Sequence, residues 1–213
     1  MRLLQTLSGA PQGGAETFFV TLATAFERAR VAGSIDLEQR TVIRRNPDRA
    51  AALRAGGVDV RELGFGGRLD LATRRGLKRE VADFRPDVVL AYMNRAAAWM
   101  PSGDFLKCAR LGGYYDIKYY RRCDHLLCIT DHIRQHMLQQ GWPAERAHVL
   151  ENFATVDDLP AADRAAHDTP AQAPLLVVPS RLHVNKGLDV MLRALNREPR
   201  AYLWLAGSGP EED

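Results

Sequence analysis

Residues 1–19, MRLLQTLSGAPQGGAETFF, decide the fold because they hold one complete strand, a loop and the start of a helix. The apolar run from Leu3 to Leu7 predicts a buried strand, and the loop SGAPQGG leads into a helix. Gly13 and Gly14 at the helix start let backbone N–H groups approach a phosphate or carboxylate, which the helix dipole favours. A tight turn without a ligand, with Glu16 in the first helical turn, is the simpler alternative.

The same alternation of short apolar runs with longer amphipathic segments continues along the chain. It is typical of repeated βα units that build a parallel sheet. We therefore predict an α/β fold in which residues 1–153 form a complete N-terminal Rossmann-like domain. Strands are predicted at 3–7, 40–44, 58–63, 88–93, 106–111 and 126–130, with a seventh over 148–153, and helices at 15–32, 69–84, 115–123 and 131–140.

A second unit is predicted after residues 154–173, where Ala, Asp and Pro dominate and an interdomain linker is expected. Residues 174–213 contain a strand, a helix over 186–197 and a second strand, AYLWLAGSG. This is the first βαβ unit of a second Rossmann-like domain, and we expect the sequence to stop within that domain. Arg181 and Lys186 follow its first strand, at the edge where open α/β sheets bind ligands. They can contact a diphosphate from two directions, and a solvated loop is the alternative.

Composition indicates a globular protein and disfavours several classes of function. The 213 residues carry a net charge of +3, and 25 of the 29 basic residues are arginine, which suits bidentate contacts with phosphate. Three cysteines are too few for a disulfide scaffold, and no stretch suits a secretory signal or a membrane span, so we predict a cytoplasmic protein. The basic residues are scattered without a recognition motif, which argues against a nucleic-acid partner.

Three residues near the end of the first domain have the spacing of metal ligands. Cys128, His132 and His136 are four residues apart, which would place the two histidines on one helical face. No nearby cysteine completes a zinc set, however, so we expect no metal and a partly exposed helix face.

A basic segment over 68–85 leaves two interpretations open. Arg74 and Lys78 form one i,i+4 pair, and Arg75 and Arg79 form another, with apolar residues toward a different face. Such a helix could rest on anionic lipid at the inner face of the membrane. The simpler alternative is a solvated surface helix that packs on the sheet.

Six segments occur along the chain in the order expected for one family. They are GGAE at 13–16, RPDVVL at 85–90, CDHLLCITDHIRQHM at 123–137, VLENFATVD at 149–157, SRLHVNKGLDVML at 180–192 and LAGSGPEED at 205–213. Together they resemble the retaining glycosyltransferases of family 4, or group 1, which have the GT-B fold. The resemblance implies two facing Rossmann-like domains, an N-terminal one for the acceptor and a C-terminal one for the nucleotide-sugar donor, without a metal or other cofactor.

The resemblance also implies roles for individual residues. Arg181 and Lys186 would neutralise the diphosphate of the donor as it departs. Contacts with the donor would come from Gly13, Gly14, Asn152, Gly207 and Gly209. Many relatives carry a histidine after the fifth strand, where this chain has RLGGYYD. Contacts with the acceptor are therefore expected from Glu16, Asn94, Arg95, Tyr114 and Asp116.

The glutamate pair with which the family holds the donor sugar and ribose would lie beyond Asp213, and Glu211 and Glu212 do not replace it. We therefore expect this chain alone to be inactive. For the parent protein we expect transfer of a sugar, with retention, from a nucleoside-diphosphate sugar to a saccharide or lipid-linked saccharide in cell-envelope polysaccharide or lipopolysaccharide synthesis. The alternative is a non-catalytic, truncated module that keeps only the binding of the acceptor.

Overall fold

The computed structural model describes residues 1–67, 69–153 and 159–212. The chain divides into two compact units, Met1–Ala154 and Thr155–Asp213. Within the described residues, each unit has its own parallel sheet. The boundary predicted at 153/154 adjoins residues 154–158, which lie outside the described part of the chain.

Seven parallel strands form the sheet of unit 1. They are β1 Arg2–Leu7, β2 Glu38–Arg44, β3 Val60–Leu63, β4 Val88–Tyr92, β5 Leu106–Leu111, β6 His125–Cys128 and β7 Ala147–Val149. Their order in the sheet is β3-β2-β1-β4-β5-β6-β7. β1 is buried from Leu3 to Leu7, as expected for a parallel strand covered on both faces. The sheet confirms the predicted α/β fold class.

Helices cover both faces of this sheet. They are α1 Gly14–Val31, α2 Pro47–Ala55, α3 Leu71–Phe84, α4 Met93–Ala98 and α5 Asp131–Gln139. Successive residues of β1 point to opposite faces, so Leu3 packs in one core with Phe19 of α1 and Leu53 of α2. Leu4 belongs to the other core, with Leu77 of α3 and the inner residues of α4 and α5. α1 and α2 therefore cover one face, and α3, α4 and α5 cover the other.

The elements depart from the sequence predictions in four places. α2 and α4 are not predicted, because nine and six residues are too short to show a clear helical period. The predicted helix over 115–123 is wrong: it contains a 3₁₀ turn, Ile117–Tyr119, after which Tyr120 and Cys123 turn into the core. The seventh strand is also shorter than predicted, since residues 150–153 follow β7 without strand structure.

Unit 2 is a single βαβ arrangement with an open apolar surface. It consists of β8 Leu175–Pro179, α6 Leu188–Leu195 and β9 Tyr202–Ala206, and the two strands are parallel. Val177 of β8 is 50% exposed and Val190 of α6 is 59% exposed. A two-stranded sheet with such exposure is marginally stable by itself.

Part of the predicted linker packs on this second sheet. The Thr169 hydroxyl accepts a hydrogen bond of 3.0 Å from the indole N–H of Trp204 in β9. The ring of His167 lies 4.6 Å from the ring of Trp204. The guanidinium of Arg164 donates to the carbonyls of Ala171 and Ala173. The segment over 164–173 is therefore folded, and it packs against β9 before β8 begins.

Candidate functional site

The strand order places a crevice at the carboxyl ends of β1 and β4. These strands are neighbours, but the chain leaves β1 toward α1 on one face and leaves β4 toward α4 on the other. Ligands of open α/β sheets bind at such switch points. Gly13 and Gly14 follow β1, and Asn94 and Arg95 follow β4. Four of the predicted site residues therefore share this edge of the sheet.

The glycine-rich loop after β1 is shaped by the side chain of Glu16. This carboxylate is buried, and it accepts a hydrogen bond of 2.7 Å from the backbone N–H of Ala10. A Cβ atom at Gly9 or at Gly13 would overlap the Glu16 side chain, so both positions need glycine for this packing. Glu16 is predicted to contact the acceptor, but the structure places its carboxylate inside the loop.

The carbonyl groups of the same loop are held by α2. Arg49 donates from its guanidinium to the carbonyls of Ala10 and Pro11 at 2.7 and 3.0 Å. Asn46, which caps α2 by accepting from the Arg49 N–H, also donates to the Pro11 carbonyl at 3.2 Å. Burial lowers the pKa of Arg49, and the nearby charge of Glu16 opposes that shift. Glu16 therefore binds an N–H group of the loop, while Arg49 and Asn46 bind its carbonyl groups. The sequence does not predict the roles of Arg49 and Asn46.

The start of α1 is open to a ligand. Gly13 occupies the N-cap position and provides no side-chain hydrogen bond to the first N–H groups of the helix. A Cβ atom at Gly14 would meet no atom within 4 Å, so the space beside it is free in unit 1. There is room for a ligand beside Gly14, and the binding of an anion there stays a prediction.

Asn152 is held near the carboxyl end of β5 by Arg110, which the sequence analysis does not single out. The Arg110 guanidinium donates to the Asn152 side-chain oxygen at 2.6 Å and lies 4.2 Å above the ring of Phe18. Phe18 also makes an edge-on contact with Phe153, with ring centres 5.2 Å apart. Burial lowers the pKa of Arg110, and its buried Nε has no hydrogen-bond partner among the described residues. A buried guanidinium with a free donor suits a polar ligand at this edge.

The first residue of α4, directly after β4, has a strained backbone. Met93 has a φ of 63°, a left-handed conformation that costs a non-glycine residue on the order of 1–2 kcal/mol. Asn94 follows and accepts a hydrogen bond from the Arg95 N–H, while the Arg95 side chain is exposed. Strain of this kind concentrates at functional sites, which fits the position of Met93 at the switch point.

The predicted acceptor residues after β5 lie farther along the same edge. Tyr114 is 67% exposed, and its ring packs edge-on against the ring of His136. Asp116 forms an ion pair of 2.8 Å with Lys118, and the hydrogen bonds from Lys118 lower the pKa of the Asp116 carboxyl. Both residues are available to a ligand, although Asp116 already has a cationic partner.

In unit 2 the predicted residues gather at the carboxyl ends of β8 and β9. Arg181 and Lys186 are exposed, and neither forms an ion pair within the described part of the chain. Lys186 ends a 3₁₀ turn, Val184–Lys186, and Gly187 in the left-handed region then starts α6 without a side-chain cap. Two exposed cations thus lie in the segment between β8 and the uncapped start of α6, which is a suitable place for a diphosphate.

Gly207 and Gly209 have a structural reason to be glycine. A Cβ atom at Gly207 would overlap the carbonyl of Ser180, and one at Gly209 would overlap the carbonyl of Leu182. The Leu182 N–H also donates to the Ser208 carbonyl at 3.0 Å. These contacts join the loops after β8 and β9, and they hold the segment that carries Arg181.

The cysteine and histidine residues near β6 do not form a metal centre in the described ranges. Cys128 is buried and His132 is exposed, while His136 lies 3.1 Å from the carbonyl of Tyr115. Among residues 1–67, 69–153 and 159–212, no three His, Cys, Asp or Glu side chains are grouped as ligands. Burial raises the pKa of the Cys128 thiol to about 11 and that of Cys123 to about 12. Both thiols are therefore protonated and poor ligands at neutral pH.

Two curated proteins are similar to the chain over nearly all of its length. Lipopolysaccharide core biosynthesis glycosyltransferase LpsE of Rhizobium meliloti (strain 1021) is 35% identical over 205 residues. LpsD of the same organism, with the same description, is 32% identical over 207 residues. The alignments cover 94% and 95% of this chain but 58% of each relative, so the chain spans little more than half their length. No protein-family model matches the chain.

Solved structures of glycosyltransferases share the fold. The glycosyltransferase from Rickettsia africae ESF-5 superposes with a TM-score of 0.75 at 17% identity, over 96% of this chain and 59% of that one. Anabaena Alr3699/HepE, solved in complex with UDP, gives a TM-score of 0.77 at 14% identity, over 98% and 61%. The chain therefore has the α/β fold of part of a GT-B protein: a Rossmann-like unit with a seven-stranded parallel sheet and a second unit with a βαβ arrangement.

Proposed function

We propose that the chain is part of a glycosyltransferase that moves a sugar from a nucleoside-diphosphate sugar to a saccharide acceptor, in lipopolysaccharide core or related cell-envelope synthesis. The observation that carries this proposal is the pair of exposed cations in the segment between β8 and the uncapped start of α6, Arg181 and Lys186. The similarity to LpsE and LpsD supports it, since both are described as glycosyltransferases of this pathway. The UDP complex of the Anabaena protein supports a nucleotide-sugar donor.

In the proposed mechanism the residues of unit 2 act on the leaving group. As the bond between the sugar and the diphosphate breaks, negative charge grows on the diphosphate. Arg181 and Lys186 neutralise that charge, and the first N–H groups of α6 add hydrogen bonds. We propose that the sugar keeps its anomeric configuration and that no metal takes part, as the resemblance to family 4 implies.

The proposed role of unit 1 is to hold the acceptor and to support the donor. The open start of α1 at Gly14 offers N–H groups to an anion, and Asn152 is held in place by Arg110. Asn94, Arg95 and Tyr114 border the switch-point crevice and supply donors and acceptors for sugar hydroxyls. This assignment agrees with the rule that ligands of α/β sheets bind outside the carboxyl ends of the strands.

The test measures release of nucleoside diphosphate with a panel of donors and acceptors. It compares this 213-residue chain with a fusion in which the chain is joined to the part of LpsE that the alignment does not cover. Arg181→Ala and Lys186→Ala are each expected to lower kcat, because a lost charge-assisted contact costs about 2–5 kcal/mol, which corresponds to a loss of about 30-fold or more in rate. Normal kcat in both folded variants would remove these residues from the mechanism. Binding of an acceptor without any turnover would support the non-catalytic alternative.

Contact with a membrane surface is proposed as a property of α3. Its basic residues Arg74, Arg75, Lys78 and Arg79 are all exposed, and Leu71 at its start is 54% exposed. None of the helices in the described ranges has the length and apolarity needed to cross a membrane. Cosedimentation with vesicles that contain phosphatidylglycerol tests the contact, and it should weaken when all four cations are replaced by glutamine.

A further inference from the structure

A groove of about 810 Å³ lies between α3, the end of α4 and the turn after β5 in unit 1. Its lining includes five cationic side chains and an aromatic one: Arg74, Lys78, Arg95, Lys118, Arg122 and Trp99. Among the residues that the structure describes, no aspartate or glutamate lines it. We call this space the basic groove. Its size suits a ligand larger than a single inorganic ion.

The positive charge of the basic groove is largely uncompensated. Of its five cations, Lys118 pairs with Asp116 at 2.8 Å, and the others form no ion pair with any described residue. The acidic residues on α3, Glu80 and Asp83, bind Arg40 of β2 instead, with Glu80 at 2.9 Å. Like charges that converge on one concave surface repel each other unless an anion joins them. The missing partner of this groove is therefore an anion.

An aromatic surface accompanies these charges. Trp99 is half-buried in the groove wall, and the guanidinium of Arg74 lies 5.6 Å from the centre of its ring. Tyr119 also lines the groove, and the ammonium of Lys118 lies 5.1 Å from its ring centre. Aromatic faces pack against the C–H faces of sugar rings, whereas inorganic phosphate gains nothing from them. The combination favours a ligand with both sugar rings and negative charge.

We infer that the basic groove binds an anionic saccharide, that is, a sugar segment that carries phosphate or carboxylate groups. This inference rests on the proposed function, because it assigns the groove to the acceptor. The sequence predicts contact with the acceptor for Arg95 and Asp116. Arg95 lines the groove, and Asp116 forms an ion pair with Lys118, which also lines it. Arg74 and Lys78 bind the charged groups, and Trp99 holds a ring. The anionic groups can belong to a soluble glycan or to the headgroup of a glycolipid.

The test follows the fluorescence of Trp99 in this chain during titration with fructose 1,6-bisphosphate and, separately, with fructose. The double variant Arg74→Gln with Arg122→Gln removes two groove charges. A matched control, Arg75→Gln with Arg79→Gln, removes two exposed charges from α3 that do not line the groove. The groove variant should bind the bisphosphate more weakly by about tenfold or more per lost charge-assisted contact. The control should bind it normally, and fructose should give no response.

Three outcomes would overturn the inference. Equal weakening in both double variants would show attraction by the general positive charge of α3 rather than a site. A fluorescence response that survives in Trp99→Phe would place the binding elsewhere, at Trp142 or Trp204. The inference also fails if neither the bisphosphate nor vesicles bind in a groove-dependent way.

A second arm identifies the source of the anionic groups. Vesicles of phosphatidylcholine with an equal part of phosphatidylglycerol are compared with pure phosphatidylcholine vesicles. Loss of vesicle binding in the groove variant alone assigns the groove to lipid headgroups, whereas loss of bisphosphate binding alone assigns it to soluble glycans. These are binding measurements on the 213-residue chain, so they stay independent of the release of nucleoside diphosphate that tests the proposed function.

Discussion

Replacing Glu16 with alanine is expected to loosen the glycine-rich loop of unit 1 and to destabilise the unit. The buried carboxylate accepts the Ala10 N–H at 2.7 Å, and its side chain fills the space beside Gly9. It also supplies the negative charge near the buried guanidinium of Arg49. Without it, Ala10 loses a hydrogen-bond acceptor and Arg49 loses its nearby charge.

The expected loss in the free energy of unfolding follows from two contributions. A hydrogen bond to a charged acceptor contributes about 1.5–3 kcal/mol, and each buried methylene that is removed adds about 0.8 kcal/mol. Glu16→Ala should therefore destabilise unit 1 by about 2–4 kcal/mol. Glu16→Gln is the matched control, because it keeps the shape and one oxygen acceptor for Ala10. It should cost about 1 kcal/mol, the difference between a charged and a neutral hydrogen bond.

Hydrogen exchange at the Ala10 amide, combined with urea unfolding followed by circular dichroism, measures both effects. Exchange at Ala10 should accelerate strongly in Glu16→Ala and slightly in Glu16→Gln. If both variants unfold like the parent chain and Ala10 exchange is unchanged, the proposed support of the loop by Glu16 is wrong. The alternative role, contact with an acceptor, would show instead as a raised acceptor KM in a Glu16→Gln variant of normal stability.

Four further predictions concern single residues. Gly209→Ala should destabilise unit 2, because the new Cβ overlaps the Leu182 carbonyl. Gly14→Ala should leave unfolding unchanged, because its Cβ meets no atom. It should weaken donor binding, which calorimetry with UDP can measure. Hydrogen bonds from Thr73 and from the Gly66 N–H lower the pKa of Asp70 to about 2. The stability that the Asp70 carboxylate contributes is therefore complete above its ordinary pKa of 3.8, and it is lost as the pH falls toward 2. Acid unfolding of Asp70→Asn should lack this part of the pH dependence. Cys123 should resist iodoacetamide at pH 7 in the folded chain, because burial raises its pKa to about 12.

The sheet could be predicted from the sequence because each strand is a local apolar run. The six strands predicted with the strand–helix alternation all form, with ends displaced by a few residues. Short elements were missed for a physical reason. α2 depends on its Asn46 cap and on proline at its first position, since nine residues are too few for a hydrophobic period to emerge. The segment over 115–123 has helical spacing, yet burial of Tyr120 bends it into a tight turn.

The sequence can place candidate site residues after strand ends where single residues carry the signal, but it does not show the contacts that join distant segments. Gly14, Arg181 and Lys186 stand beside strand ends that the sequence reveals. Arg49 lies 38 and 39 residues from the two carbonyls it binds, and Arg110 lies 42 residues from Asn152. No local pattern marks such partners.

The capping of the helices separates structural helix starts from candidate binding ones. α2, α3 and α5 begin with side-chain caps from Asn46, Asp70 and Thr130, which satisfy their first N–H groups. α1 and α6 begin at glycine without such a cap. Glycine in place of a capping side chain costs only about a few tenths of a kcal/mol of stability at each start. Both omissions coincide with a predicted site, Gly13 and Gly14 in unit 1 and the Arg181 to Lys186 segment in unit 2. Since α2, α3 and α5 of the same chain are capped, we propose that these two starts keep their N–H groups for a ligand, as binding of an anion there requires.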